Sequence, residues 1–207
     1  MNVLSPIILF VYNRPYQTIN TLKFLKKNLL SKKSRLIIFS DGFKNNPLDK
    51  NKVKIVRNII KNIDGFKSIK IYYRKKNIGL HKNIISGLDL IFKKFGKAII
   101  LEDDIIVSKY FLEYMNKALK IYSEEPKVSS ISGWFCPHNK KNLNTFFLRG
   151  SDIWGWATWR RCWNEFDREP KKLLKQFDKN TDLIRKFNLN NSFDYYGLLK
   201  KRSEKIN

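Results

Sequence analysis

Cysteine is nearly absent: Cys136 and Cys162 are the only two in 207 residues, and neither belongs to a CxxC pair or a Cys/His cluster. So sparse a pair excludes a disulfide framework, argues against structural zinc and favours a reducing compartment. Long apolar runs are missing too. The opening MNVLSPIILFVYNRP has no basic stretch ahead of its apolar residues and no small-residue cleavage site. Its run is also far shorter than the ~20 residues a membrane-crossing helix needs. It is expected to be the first β-strand of a cytosolic protein. Internal repeats and Gly/Ser linkers are lacking as well, so a single domain is expected across residues 1–207.

Acidic side chains are the remaining scarcity. Asp and Glu number 18 against 42 Lys and Arg, a formal net charge of +24. The cations are spread through LKFLKKNLLSKKSR, KNNPLDKNKVK and EPKKLLKQFDKN and not gathered in one block. A field of this sign favours anionic partners: a phosphorylated small molecule, an acidic lipid surface or nucleic acid. A hydrophobic content of 43% with 14% aromatics belongs to a folded domain.

What is present is an alternation of short β-rich runs and helix-length amphipathic segments. PIILFVY (Pro6 to Tyr12), RLIIFS (Arg35 to Ser40), SIKIYY (Ser68 to Tyr73) and KAIIL (Lys97 to Leu101) read as strands. Between them YQTINTLKFLKKNLL carries a stripe of Ile19, Leu22, Leu25 and Leu29, and NKVKIVRNIIKNI and HKNIISGLDLIFKKF repeat the pattern. The alternation predicts an α/β fold whose sheet is mostly parallel and covered by helices on both faces. Farther on, SKYFLEYMNKALKIY reads as a helix with Ser108 as N-cap, and KVSSIS as a short strand. From Gly133 to Gly150 no periodicity persists, and SDIWGWATWRRCWNEF holds four of the five tryptophans.

In open α/β sheets ligands bind beyond the carboxyl ends of the strands. Polar groups stand at four such ends: Asn13-Arg14-Pro15, Asp41-Gly42, Arg74 through Gly79, and Glu102-Asp103-Asp104. The three adjacent acids stand out in so basic a chain, because their mutual repulsion asks for a compensating partner. Oxygen ligands at a strand end suit a hard cation such as Mn2+ or Mg2+. Neighbouring side chains of an extended segment point to opposite faces, so all three cannot grip one ion. Asp104 is assigned to the metal, with Asp103 and Glu102 left for a sugar or ribose hydroxyl or for water. The plain alternative is an acidic helix start.

Asp41-Gly42 suits a base or ribose contact at a tight turn, or is an ordinary Asp-Gly turn. Arg14 is a phosphate or base contact, or simply a loop arginine, and Pro15 opens the helix behind it. Asn77 and Gly79 precede a helix whose first turn carries His81 and Lys82, a combination that suits pyrophosphate. Otherwise Gly79 is a loop glycine and His81 a surface residue. In WGWATWRRCW the residues Trp156, Trp159, Arg160 and Trp163 share a helical spacing. Trp154 and Trp156 are expected near the site, Trp159 and Trp163 in packing.

The ordered set ILFVYNRP, FSDG, NIGLHKNIISGLDLIF, AIILEDDIIVSKYFLEYMNKAL, VSSISGW and DIWGWATW resembles bacterial GT-A-type glycosyltransferases of surface polysaccharide and lipooligosaccharide clusters. More distantly it is similar to the N-acetylglucosaminyltransferase I type. The resemblance covers about Ser5 to Phe166. It implies a GT-A Rossmann-like three-layer fold, with residues 1–132 binding a nucleotide sugar and 133–207 forming an incomplete acceptor side. It also implies an inverting transfer from a nucleotide-diphosphate sugar to a glycan or glycolipid, with Mn2+ or Mg2+ bridging the diphosphate. By that resemblance Arg14 and Asp41 contact the base, and His81 or Lys82 lies on the diphosphate side. Glu102 and Asp103 meet the ribose and donor sugar, Asp104 holds the metal, and Gly155-Trp156 line the donor and acceptor pocket.

Similar enzymes carry an acid beside a further Trp, downstream, as general base. Here no Trp follows Trp163 and the chain stops at Lys205-Ile206-Asn207, which leaves Asp152 and Asp194 as candidates. Two alternatives stand beside the enzyme: a C-terminally shortened donor-binding remnant that transfers poorly, and a basic nucleic-acid-binding protein, the less favoured of the two. The expected location is cytoplasmic, with peripheral contact to the anionic inner face of the membrane.

Overall fold

Five consecutive residues, Ile7–Val11, are buried at every position and form β1, the pattern of a strand covered on both faces. A computed structural model describes residues 3–134, 145–177 and 180–204; Cys136 and the closing Lys205-Ile206-Asn207 lie outside them. The chain continues with α1 (Pro15–Lys26), a 3-10 turn at Ser31–Lys33, β2 (Arg35–Ser40), α2 (Pro47–Lys61), β3 (Ser68–Tyr73) and α3 (Leu80–Phe92). Next come β4 (Lys97–Glu102), α4 (Phe111–Ile121), β5 (Ser130–Ser132), β6 (Trp156–Trp159) and α5 (Arg160–Asn164). The last helices are α6 (Pro170–Phe177), α7 (Thr181–Phe187) and α8 (Tyr195–Glu204).

The six strands form one sheet in the order β3-β2-β1-β4-β6-β5. β1 pairs in parallel with β2 and with β4, and β2 with β3, whereas β6 runs antiparallel to both β4 and β5. The fold is therefore α/β with a mostly parallel sheet, as the alternation of elements implies. Strand periodicity sorts the core into two clusters. Ile7, Leu9, Leu36, Ile38, Ile99 and Leu101 face Leu22 and Leu25 of α1, Val56 and Ile60 of α2, and Leu112 and Met115 of α4. Ile8, Phe10, Ile37, Phe39, Ala98 and Ile100 face Leu88, Ile91 and Phe92 of α3. The crossovers β1 to β2 and β2 to β3 step one way along the sheet, whereas β3 to β4 steps back past β1. Right-handed crossovers then put α3 on the opposite face.

Three local expectations are corrected. Ile19 and Leu29 are exposed, and the buried face of α1 is Thr18, Thr21, Leu22 and Leu25. The threonines go inward because each finds a carbonyl, Thr18 Oγ1 donating to Arg14 O and Thr21 Oγ1 to Asp103 O. The N-cap of α4 is Tyr110 and not Ser108, which instead accepts a turn hydrogen bond from the Phe111 amide. Trp156–Trp159 form a strand and not a helix: Ala157 and Trp159 face one core cluster and Trp156 the other. Pairing with β4 decides this, because four residues whose one polar member, Thr158, is itself buried fit either period.

The described residues fall into two compact units, residues 3–134 with 152–163 and residues 145–151 with 164–177 and 180–204. The first contains the whole sheet. The second is helical, with Phe177 of α6 packed against Phe187 and Tyr196 at ring distances of 4.9 and 5.3 Å. Among the described residues, no helix is long and apolar enough to cross a membrane.

Candidate nucleotide-sugar and metal site

Strand order reverses between β1 and β4, so the crevice beyond their carboxyl ends is the topological switch point, where open α/β sheets take their ligands. Phe10 of β1 is level with Glu102 of β4, so the segments after the two strands emerge side by side. They are joined directly. The Tyr12 amide donates to Asp103 Oδ2 at 3.0 Å, and Arg14 Nη1 lies 2.5 Å from Asp104 Oδ2 and 3.8 Å from Asp103 Oδ1. Asp103 is buried, whereas Arg14 and Asp104 keep 53% and 46% of their side-chain surface and so remain open to a ligand.

The triad is electrostatically loaded. Burial raises the proton affinity of Glu102 above that of an ordinary glutamate, and the charges of Asp104 and Asp103 raise it further, with Arg14 opposing. Burial likewise pushes the Asp103 carboxyl up against the pull of the Tyr12 amide and Arg14. The donors are all oxygen, one carboxylate is exposed, and a guanidinium sits where a cation would. That chemistry fits Mg2+ or Mn2+, which takes one or two carboxylates and leaves its other positions to water and phosphate. Among the described residues no group of three or more His, Cys, Asp or Glu gathers around a common metal position.

Asp41, at the end of β2, is only 3% exposed. Its Oδ1 accepts from the amides of Gly42 and Ile78 and its Oδ2 from Asn77 Nδ2 and the Gly79 amide, which fills both oxygens. The carboxylate therefore fastens the loop before α3 to the end of β2. Gly42 is required where the loops meet, because a Cβ there would overlap the Lys76 carbonyl and crowd the Asn77 amide. Gly79 has φ +79° and ψ 156°, a backbone region that is nearly glycine's alone. His81 and Lys82 lie exposed in the first turn of α3.

Several rim residues were not singled out from the sequence. Asp49, buried in the first turn of α2, accepts from Tyr12 Oη at 2.6 Å, Asn13 Nδ2 at 2.5 Å and the Lys44 amide at 2.5 Å. It thereby ties the end of β1 to the loop after β2. Burial raises its carboxyl, yet the bonds from Tyr12, Lys44 and Asn13 more than reverse this, and its pKa lies below the usual aspartate value. Burial and the same bond raise that of Tyr12. Arg57 donates to Ser40 Oγ and to the carbonyls of Asp41 and Arg74, while Arg74 donates to Asn83 and Ser86 of α3. A locally read sequence gives no signal for these links, which span 5 to 37 positions and close only through the fold. The one available clue was Asn46-Pro47-x-Asp49, an N-cap signature: Asn46 Oδ1 does accept from the Asp49 amide.

The tryptophan segment reaches the same crevice from β6. Gly155, with φ +74°, accepts from the Gly133 amide, and a Cβ on it would touch Leu101, Phe111 and Ile105 at 3.4–3.5 Å. Trp154 is 57% exposed and meets Trp134 edge to face, with ring centres 4.7 Å apart. Trp156 packs partly buried on the α3-side core, where Trp163 donates its indole N–H to Asp89. Trp159 is buried and donates to Leu119 O. Asp152 Oδ1 accepts from the Trp154 amide in an Asx turn. Asp194 belongs to the second unit, where it accepts from Gly197 N and Asn188 Nδ2 at the start of α8.

No family model and no curated protein matches the sequence. Solved structures do. The chain is similar to S. aureus TarS 1–349 in complex with UDP, at 14% identity over 84% of this chain and 49% of that one, with a TM-score of 0.49. It is also similar to the mannosyltransferase PcManGT from Pyrobaculum calidifontis in complex with GDP-Man and Mn2+, at 12% identity over 62% of this chain and 35% of that one, with a TM-score of 0.45. The chain thus spans half or less of either relative's length, and the likeness makes no functional statement about it.

Proposed function

We propose that the chain binds a nucleotide-diphosphate sugar together with Mn2+ or Mg2+ and takes part in inverting transfer of the sugar to a glycan or glycolipid hydroxyl. The observation that carries this reading is the meeting of Arg14 with Asp103 and Asp104 at the β1/β4 switch point, one loop away from a glycine-dependent start of α3. Asp104 is the exposed carboxylate and would hold the metal. Bound there, the ion would offset charge developing on the leaving diphosphate.

The chain's own groups do the rest. Glu102, and the Asp103 oxygen that Tyr12 does not engage, orient sugar or ribose hydroxyls. Asn13 and Asp41 act through the loops they hold, Asn13 on Asp49 and Asp41 on Asn77 and Gly79. Lys82 offers positive charge and His81 a polar ring in the turn that follows. Trp154, paired with Trp134, gives the sugar an aromatic face beside Gly155 and Trp156. For deprotonation of the acceptor, Asp152 is the candidate favoured over Asp194, whose carboxylate is engaged at a helix start.

Calorimetry with UDP, with and without Mn2+, on the wild type and Asp104→Ala tests the reading. Binding is expected to need the metal in the wild type and to lose that dependence in the variant. Equal UDP affinity under all four conditions would sink it. Turnover with a panel of nucleotide sugars then separates a working transferase from a donor-binding remnant. A duplex DNA titration without metal addresses the nucleic-acid alternative, which predicts steeply salt-dependent binding.

A further inference from the structure

We propose that Arg14 is the resident counter-ion of the metal carboxylate, which a divalent cation must displace from Asp104 before it can bind. The inference rests on the reading that Asp104 holds the metal. The backbone of Arg14 is fixed: Pro15 follows it at the first position of α1, and its carbonyl accepts from both the amide and the hydroxyl of Thr18. The side chain is not fixed in the same way. It is half exposed, and among the described residues its Nη1 reaches two carboxylates, Asp104 at 2.5 Å and Asp103 at 3.8 Å. A guanidinium at that distance takes lone pairs a hard cation would use, and two cations cannot share the oxygen without strong repulsion.

Displacement is feasible because the ion pair faces solvent, where such pairs contribute little. It has a second consequence. Once freed, the guanidinium needs another anion, and the donor's diphosphate brings one, so metal and nucleotide each favour the other's binding. By linkage the coupling is reciprocal.

The test measures Mn2+ affinity of the whole chain without nucleotide, from the EPR signal of unbound Mn2+, in wild type, Arg14→Gln, Arg14→Lys and Asp104→Asn. Arg14→Gln is expected to bind Mn2+ about three- to fivefold more tightly than wild type, the size of an exposed ion pair. Arg14→Lys should fall between the two, and adding UDP should tighten Mn2+ binding less in Arg14→Gln than in wild type. If Asp104→Asn abolishes binding while both Arg14 variants bind no better than wild type, the counter-ion role is overturned and the metal reading stands. If Asp104→Asn binds as wild type does, the metal reading fails and takes the inference with it.

Discussion

Asp49 and Glu102 carry opposite pH signatures. The Asp49 pKa is depressed in the folded chain, so its contribution to stability is present above the unfolded aspartate value and lost as pH falls through the native one. Asp49→Ala leaves the Tyr12 hydroxyl, the Asn13 amide and the Lys44 N–H without their acceptor, a cost of about 3 kcal/mol at neutral pH. Urea unfolding should show that deficit at pH 7 and a smaller one below about pH 4. The Glu102 pKa is raised, so the folded state loses stability as pH climbs past the ordinary glutamate value of about 4.3 toward the native one. Glu102→Gln should therefore melt higher than wild type at pH 7 and level with it near pH 4, with saturating Mn2+ narrowing the gap at pH 7. An identical gap at both pH values would remove the repulsion argument. The acids of the triad were legible one by one, because three adjacent carboxylates in a chain of +24 need an explanation. Asp49 was not, since one aspartate in a helix's first turn looks the same whether or not a distant tyrosine leans on it.

At the scale of elements, α3 shows how backbone and site depend on each other. Its start is held by Asp41, whose carboxylate takes the amides of Ile78 and Gly79, so the loop is already ordered around an internal anion. A Cβ on Gly79 would find open space, yet its φ of +79° with ψ of 156° strains any other residue. Gly79→Ala should cost about 1–3 kcal/mol in chemical denaturation despite the absence of a clash. A loss below a few tenths would mean that the loop shifts freely. β2 and β3 were legible to their end residues because polar neighbours bracket each apolar run. β6 was not, because the one polar residue of WATW, Thr158, is buried and so does not reveal its period, and only pairing with β4 makes it a strand. The stripe of α1 was misjudged for a related reason. Threonine is buried there at the expense of isoleucine, since the helix's own Arg14 carbonyl and that of Asp103 accept its hydroxyls.

For the whole molecule the dominant quantity is the charge of +24. It predicts association with anionic vesicles at roughly 0.1 M salt, release near 1 M, where the screening length shrinks to about 3 Å, and no association with neutral vesicles. Flotation assays read all three, and retention on neutral vesicles would point to apolar insertion in place of charge. Strand order is the global property the sequence did not disclose: an alternation of strands and helices is compatible with several orders, and only packing chooses the one that sets β1 beside β4. That placement also bears on biosynthesis. β1 is made well before β4, so its second edge stays unpaired until β4 emerges, on the order of ten seconds later at about 5–20 residues per second. Through that interval Ile7–Val11 is an uncovered run of five apolar residues in a nascent chain, the kind of edge that recruits other chains. The same adjacency that creates the crevice makes the ribosome-bound chain a natural client for holding chaperones until Lys97–Glu102 arrives.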